Sequence, residues 1–154
     1  MLRKSATGNT VNIQHLIDAN KIIIQRGDLA DPTSIYRVIS AVMPDEIYNE
    51  ADQDHVSWSY ASVGYTCDIT GAAVGRILEI IKQINSKIKY FQPVSSNMFG
   101  IAPENPQTEE TPFRPQSPYA AAKVFAYVMC KYYREVFGMF VCTGIFYNHE
   151  SERR

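Results

Sequence analysis

Lys89-Tyr90-Phe91-Gln92-Pro93-Val94-Ser95-Ser96, followed after a proline-rich loop by Ser117-Pro118-Tyr119-Ala120-Ala121-Ala122-Lys123, decides the fold. The first stretch belongs to a short apolar run, Ile88 to Val94, that reads as a strand emptying into a serine pair. The second opens a helix, because Ser117-Pro118 is a helix-start signal. Four residues make about one helical turn, so Tyr119 and Lys123 project from one face and can reach a common ligand. A phenol with an ordinary pKa of about 10 is a poor base at neutral pH, and a nearby ammonium favours the phenolate. The expectation is therefore a lowered Tyr119, with a serine hydroxyl from the end of the preceding strand holding the substrate oxygen whose proton Tyr119 takes, as oxidation of a secondary alcohol requires. Tyr127 and Lys131 repeat the spacing further along the same helix, but mid-helix rather than at its mouth. Position, not spacing, singles out Tyr119.

Working outward, Lys21 to Arg26 is an apolar, β-branched run closed by Gly27-Asp28, which reads as a buried strand. Asp31 as N-cap and Pro32 in the first turn predict a helix through about Val42, ended by Met43-Pro44-Asp45. Glu46-Ile47-Tyr48-Asn49 reads as a strand, and Ser59 to Lys82 has helical periodicity in which glycines mark close packing against the sheet. Ile101 to Gln116 is a polar, proline-rich loop, Pro118 to Phe137 a long helix closed by Gly138, and Met139 to Phe146 a last strand. Strands alternating with helices predict an α/β fold with a parallel sheet.

With 154 residues and 45% hydrophobic content, the chain can form one domain, or part of one, around a real core. Its 15 basic and 16 acidic residues give no electrostatic footprint for nucleic acid. No apolar run approaches the roughly 20 residues of a membrane span, so a cytoplasmic location is expected. Cys67, Cys130 and Cys142 lack metal-ligand spacing and read as reduced thiols. His15, His55 and His149 are widely scattered, and structural or surface roles are expected for them. No Gly-x-Gly-x-x-Gly or Gly-x-x-Gly-x-x-Gly occurs anywhere, so the glycine turn that brings backbone to a pyrophosphate is missing.

Several stretches carry a family resemblance. They are Arg3-Lys4-Ser5 with Asn9-Thr10 and His15-Leu16, Gly27-Asp28-Leu29, Glu46-Ile47-Tyr48-Asn49 with Gln53 and His55-Val56, Ser95-Ser96 with Phe99-Gly100, Thr111-Pro112-Phe113, Ser117-Pro118-Tyr119 with Lys123, Tyr133-Arg134-Glu135, and Asn148-His149-Glu150-Ser151 with Arg153-Arg154. Together they make nearly the whole chain resemble the middle of a GDP-mannose 4,6-dehydratase, an extended short-chain dehydrogenase/reductase. The resemblance implies a partial Rossmann-like parallel sheet with flanking helices whose first βα unit is missing. Residues 1–154 would form one incomplete NAD(P)-binding domain, without the C-terminal substrate domain. It implies a lyase of GDP-fucose biosynthesis that converts GDP-mannose to GDP-4-keto-6-deoxymannose with NADP. It also implies a homo-oligomer.

Carried over by resemblance, Ser95, Tyr119 and Lys123 would be the catalytic triad, with Lys123 also on the nicotinamide ribose. Asp28 and Leu29 would flank the adenine, Arg3 would meet cofactor phosphate and neighbouring subunits, and Asn148 would contact the nucleotide sugar. The chain departs from the pattern at Asn97, where the family has its acid/base glutamate, and at Glu152, where it has proline. Glu50, Asp52 and Asp54 stand in a loop that the family keeps small and apolar, and inward-facing carboxylates there would repel an anionic dinucleotide. These departures make a non-catalytic relic or interaction module the alternative reading.

Overall fold

The computed structural model describes residues 1–3, 10–150 and 152. Lys4, Ser5, Asn9, Ser151, Arg153 and Arg154 of the family stretches lie outside the described residues. The helices are α1 (Gln14–Asp18), α2 (Pro32–Val42), α3 (Val56–Ala61), α4 (Val63–Thr66), α5 (Ala73–Asn85) and α6 (Pro118–Phe137). The strands are β1 (Glu46–Tyr48), β2 (Lys89–Ser95) and β3 (Val141–Phe146), all parallel, in the order β1-β2-β3. Parallel neighbours need a crossover between them, and α5 and α6 lead into β2 and β3 accordingly.

Local chemistry sets the long helices. Asp31 accepts a hydrogen bond from Thr33 N at 3.0 Å with Pro32 behind it, and Met43 in the left-handed region (φ 47) stops α2. Ser117 Oγ accepts from Ala120 N at 3.1 Å, and Gly138 (φ 64) ends α6. The core lies between α2, α5, α6 and the sheet, around Leu78, Ile81, Val74, Tyr90, Val141 and Cys130. Leu78 is fully buried, which alone stabilises the fold by about 1.5–3 kcal/mol.

Three expectations are corrected. Lys21 to Arg26 is not a strand: Arg26 makes an isolated parallel bridge to Leu2, and Ile23 is 88% exposed. A β-branched run becomes a strand only where neighbouring backbone completes its ladder, and among the described residues Leu2 alone pairs with it. The helix expected from Ser59 is interrupted at Ser62 and carries a π-helical turn at Cys67–Ala72 before α5. Gly71 and Gly75 approach α6 rather than the sheet, since a Cβ on Gly71 would lie 3.4 Å from Phe125 Cδ1 and one on Gly75 3.3 Å from Met129 Cε, while one on Gly64 would meet nothing within 4 Å.

Pro93 lies in the central strand, where a proline normally removes a ladder bond. Asn49 N donates to Phe91 O at 3.1 Å, and Pro93, the next β2 position facing β1, has no N–H to continue. The β1 ladder therefore ends there, and the chain after Asn49 turns away across the top of β2. Of the cysteines, Cys130 is buried, while Cys67 and Cys142 are exposed. No described helix is long and apolar enough to cross a membrane.

Alkali should unfold this core. Burial pushes the Cys130 thiol from 9.0 up to about 12 and raises the Tyr90 phenol well above 10.0. Both groups hold their protons more tightly folded than unfolded. Their contribution is thus complete below pH 9 and is lost as pH rises toward the folded values. The urea midpoint is expected to be flat from about pH 7 to 9 and to fall steeply from about pH 9 to 12, with the early part of the fall removed in Cys130→Ala. A midpoint constant to pH 11 would contradict this burial.

Candidate active site

The top of β2 delivers Ser95, the mouth of α6 delivers Tyr119 and Lys123, and the segment after β3 delivers Tyr147, Asn148 and His149. They line one pocket of about 280 Å³ together with Asp52, Asp54 and Asn97. Ser95, Tyr119 and Lys123 are all buried, at 8%, 7% and 5% exposure. Helix α6 starts directly beneath the pocket because its cap residue Ser117 sits at the end of the proline-rich loop.

Ser95 Oγ accepts from Asn97 N at 3.2 Å and from Asn97 Nδ2 at 3.1 Å. Its lone pairs are engaged, which leaves its proton to donate. Lys123 Nζ donates to Pro93 O at 3.0 Å, lies 5.6 Å from the centre of the Tyr119 ring, and pairs with Asp52 Oδ2 at 2.6 Å. The side chains of this ion pair are only 6% and 12% exposed.

Asp52 is held there by the loop after β1. Asn49 Nδ2 donates to Gln92 Oε1 at 2.9 Å, and the Tyr90 hydroxyl donates to the same oxygen at 2.6 Å. Gln53 Nε2 donates to Thr66 Oγ1 at 2.9 Å, while Gln53 O accepts from Thr70 Oγ1 at 3.2 Å. These buried anchors on either side of Asp52 fix its direction. Its second oxygen, Oδ1, is buried and has no hydrogen-bond partner.

The expected lowering of Tyr119 is corrected. Burial raises the phenol above its ordinary value, and Asp52 and Asp54 raise it further against the opposing pulls of Lys123 and Ser95. The positive charge that would have favoured phenolate is shared with Asp52. At neutral pH Tyr119 is therefore protonated, suited to giving a hydrogen bond rather than to taking a proton. Asn97 is exposed and orients Ser95, with no acid/base proton of its own.

The sequence repeat at Tyr127 and Lys131 separates cleanly from this site. Tyr127 packs edge-on against Phe113 at 5.0 Å, and Lys131 is an exposed partner of Glu135 at 3.9 Å. Arg3, Asp28 and Leu29 line a different cavity, a groove of about 720 Å³ between the Leu2 to Arg26 bridge and β1. Arg3 donates to the Tyr65 hydroxyl at 3.2 Å, Asp28 Oδ1 accepts from Ala30 N at 3.0 Å, and Leu29 is part of the core. Asp52 lines both cavities. His149, read from sequence as structural or surface, is exposed on the rim of the smaller pocket, packed edge-on against Phe146 at 5.7 Å. The place of Tyr147 on that rim had no signal in the sequence.

These residues do not fit a dinucleotide. The groove presents the carboxylates of Asp28 and Glu50, besides Glu46 and Asp52 in their ion pairs with Lys89 and Lys123, against the single basic side chain Arg3 among its described lining residues. Lys123 is already committed to Asp52 and Pro93. A dinucleotide lying along the groove would place its diphosphate against this like charge.

The family model described as GDP-mannose 4,6 dehydratase matches residues 1–154. A GDP-mannose 4,6-dehydratase from Vibrio cholerae is 40% identical over 159 residues, covering 99% of this chain and 43% of the relative. GDP-mannose 4,6 dehydratase 1 from Arabidopsis thaliana is 41% identical, covering 100% of this chain and 45% of the relative. The chain thus spans less than half the length of the curated relatives it matches. In fold it is similar to a dTDP-glucose 4,6-dehydratase from Streptomyces venezuelae with NAD and DAU bound, with a TM-score of 0.79 at 21% identity over 88% of this chain and 41% of that one. Three parallel strands with flanking helices are thus a Rossmann-like partial fold, and by the family model and the curated relatives the chain belongs to the GDP-mannose 4,6-dehydratase family.

Proposed function

We propose that the chain carries the sugar-facing, proton-handling part of a GDP-mannose 4,6-dehydratase-like site, with GDP-mannose as its ligand. The observation that carries the reading is the convergence of Ser95, Tyr119 and Lys123 with Asn148 on one pocket. In this reading Tyr119 and Ser95 hydrogen-bond a hydroxyl of the sugar, and Lys123 sets the local charge. Asn148 contacts the nucleotide sugar.

The full conversion to GDP-4-keto-6-deoxymannose needs hydride transfer through NADP, which the residues do not accommodate. It also needs a carboxylate at the position of Asn97. A general acid/base is typically worth about 10² to 10⁴ in rate, and an amide cannot replace it. The chain alone is accordingly read as ligand-binding and without dehydratase turnover. Family resemblance supports self-association, and Arg3 is the residue assigned to it.

A second reading, a non-catalytic interaction module, is favoured by one observation. Strand β1 has no neighbour on its outer edge among the described residues, and the 720 Å³ groove beside it is lined by Ile35, Ile39, Ile47 and Ile77. An open parallel edge over apolar side chains is a ready surface for another polypeptide.

Calorimetric titration of the purified chain with GDP-mannose and with NADP separates the readings. Binding of GDP-mannose without NADP is the expected result. Tight NADP binding would overturn the misfit argued above, and a folded chain silent to both ligands would leave the interaction module.

A further inference from the structure

The outer edge of β1 and the Leu2 to Arg26 bridge are the two walls of one groove of about 720 Å³. Asp45 O accepts from Lys89 N at 3.0 Å and Asn49 N donates to Phe91 O at 3.1 Å, with Ile47 in register with Tyr90 between them. Alternate residues of a parallel strand bond to opposite sides, so Glu46 and Tyr48 direct their N–H groups away from β2, and neither has an acceptor among the described residues. On the other wall Leu2 N donates to Gln25 O at 2.8 Å and Leu2 O accepts from Gly27 N at 3.3 Å. The backbone of Met1 and Arg3, which also line the groove, therefore faces away from that bridge. The apolar lining comes from Ile35 and Ile39 on α2, Ile77 on α5 and half-buried Ile47.

Such an edge binds by gaining a strand, because main-chain hydrogen bonds supply affinity and the lining selects the side chains. Apolar β-branched residues fit that pleated, buried surface best. Charge narrows the occupant further. Of the carboxylates on the groove, Glu46 and Asp52 are held in ion pairs by Lys89 and Lys123, whereas Asp28 and Glu50 are in none among the described residues. Arg3, the basic side chain on the groove, is engaged with the Tyr65 hydroxyl. We propose that the groove seats one extended strand of a separate polypeptide, apolar and β-branched along its length with lysine or arginine at its ends, whose carbonyls accept from the Glu46 and Tyr48 N–H groups. The proposal deepens the interaction-module reading given above and rests on it.

The test is amide hydrogen exchange, followed by NMR on the full chain, with a capped synthetic peptide copying Lys21 to Arg26, a β-branched run between two basic residues. At a peptide concentration about ten times its Kd, exchange at Glu46 and Tyr48 is expected to slow about tenfold, as the bound fraction dictates. A peptide with glutamate in place of both basic residues should bind about tenfold more weakly, and equal binding would overturn the charge assignment. Tyr48→Pro, first shown to melt cooperatively, removes one outward N–H and leaves the ladder to β2 in place, and should weaken binding about tenfold, the effect of roughly one hydrogen bond. The same peptide with N-methylated isoleucines, which leaves the protein untouched, should bind at least as weakly. Exchange at Glu46 and Tyr48 that millimolar peptide leaves unchanged overturns the proposal. Protection that survives both Tyr48→Pro and N-methylation also overturns it, by making the contact one of side chains alone. Protection that grows with protein concentration in the absence of peptide assigns the edge to a second copy and overturns the separate partner. Titrating GDP-mannose into the same samples keeps the two levels apart. An unprotected edge on a folded chain that does not bind GDP-mannose overturns the strand site and leaves a module acting through another surface. A protected edge on a chain that does bind GDP-mannose keeps the strand site and overturns the reading of the chain as a module only.

Discussion

Lys123→Met is expected to lower the unfolding free energy by about 3–5 kcal/mol, the usual consequence of removing one partner from a buried ion pair. The pair is buried on both sides, with its side chains 6% and 12% exposed, and Asp52 Oδ1 is already without a partner. Taking away the ammonium leaves a carboxylate facing Tyr119, with Asp54 near enough to push on the same phenol. Loss of the Lys123 bond also leaves Pro93 O, at the point where the β1 ladder stops, with Gln92 Nε2 as its remaining donor at 3.0 Å. Lys131→Met on the same helix is the control, because its ion pair with Glu135 is 3.9 Å long and more than half exposed on both sides. Such a pair is worth at most about 1 kcal/mol, and the control should stay within roughly 0.5 kcal/mol of wild type. Replacing both partners in Lys123→Met with Asp52→Leu should recover much of the loss, since an apolar pair carries no desolvation cost. Urea unfolding of the four proteins checks the set. Equal stability of Lys123→Met and Lys131→Met would show that the pair is open to water.

What could be read from sequence divides by distance along the chain. Helices α2 and α6 were legible to the residue because their signals are local: Asp31 before Pro32, Ser117 before Pro118, and Gly138 beyond the end. The run Lys21 to Arg26 was misread because strand character depends on partners supplied by other segments, and its apolar side chains look the same with or without them. The periodicity from Ser59 onward announced helix, and helix is found on both sides of Ser62. It was silent about the π-helical turn, which carries Gly71 against Ala122 and Phe125 on α6. The site shows the same division. One-turn spacing brought Tyr119 and Lys123 together, and the preceding strand brought Ser95. The sign of the Tyr119 shift failed because it is decided by burial and by Asp52, a residue far away in sequence that the end of the β1 ladder carries over the top of β2. The intruding carboxylates of that loop were visible in the sequence. Their direction was not.

Gly100→Ala is expected to cost about 3 kcal/mol or more, making it the most damaging single-methyl addition near the site. Gly100 has φ +54 and ψ −122, a region that residues with a Cβ rarely enter and that costs about 1–3 kcal/mol when forced. Strain is the smaller part. An added Cβ would lie 1.8 Å from Arg114 O and 2.9 Å from Arg114 C, which are backbone atoms with no rotamer to escape through. Arg114 cannot withdraw freely, because its N–H donates to Met98 O at 2.9 Å and fastens the end of the proline-rich loop to the turn at Ser96–Phe99. Relief must come from parting these two segments. One segment carries Asn97, which holds the Ser95 oxygen, and the other runs into Ser117 and the mouth of α6, so the displacement opens the pocket between Ser95 and Tyr119. Gly138→Ala provides the comparison. It also has positive φ, +64, but a Cβ there would meet nothing within 4 Å, so only the conformational cost of roughly 1 kcal/mol applies. If urea unfolding gives the two substitutions the same cost, the clash is absorbed by the loop, and the contact between Met98 and Arg114 does not set the geometry of the triad. A gap of about 2 kcal/mol or more, accompanied by loss of GDP-mannose binding in Gly100→Ala alone, ties the spacing of Ser95 and Tyr119 to one glycine that neither of them touches.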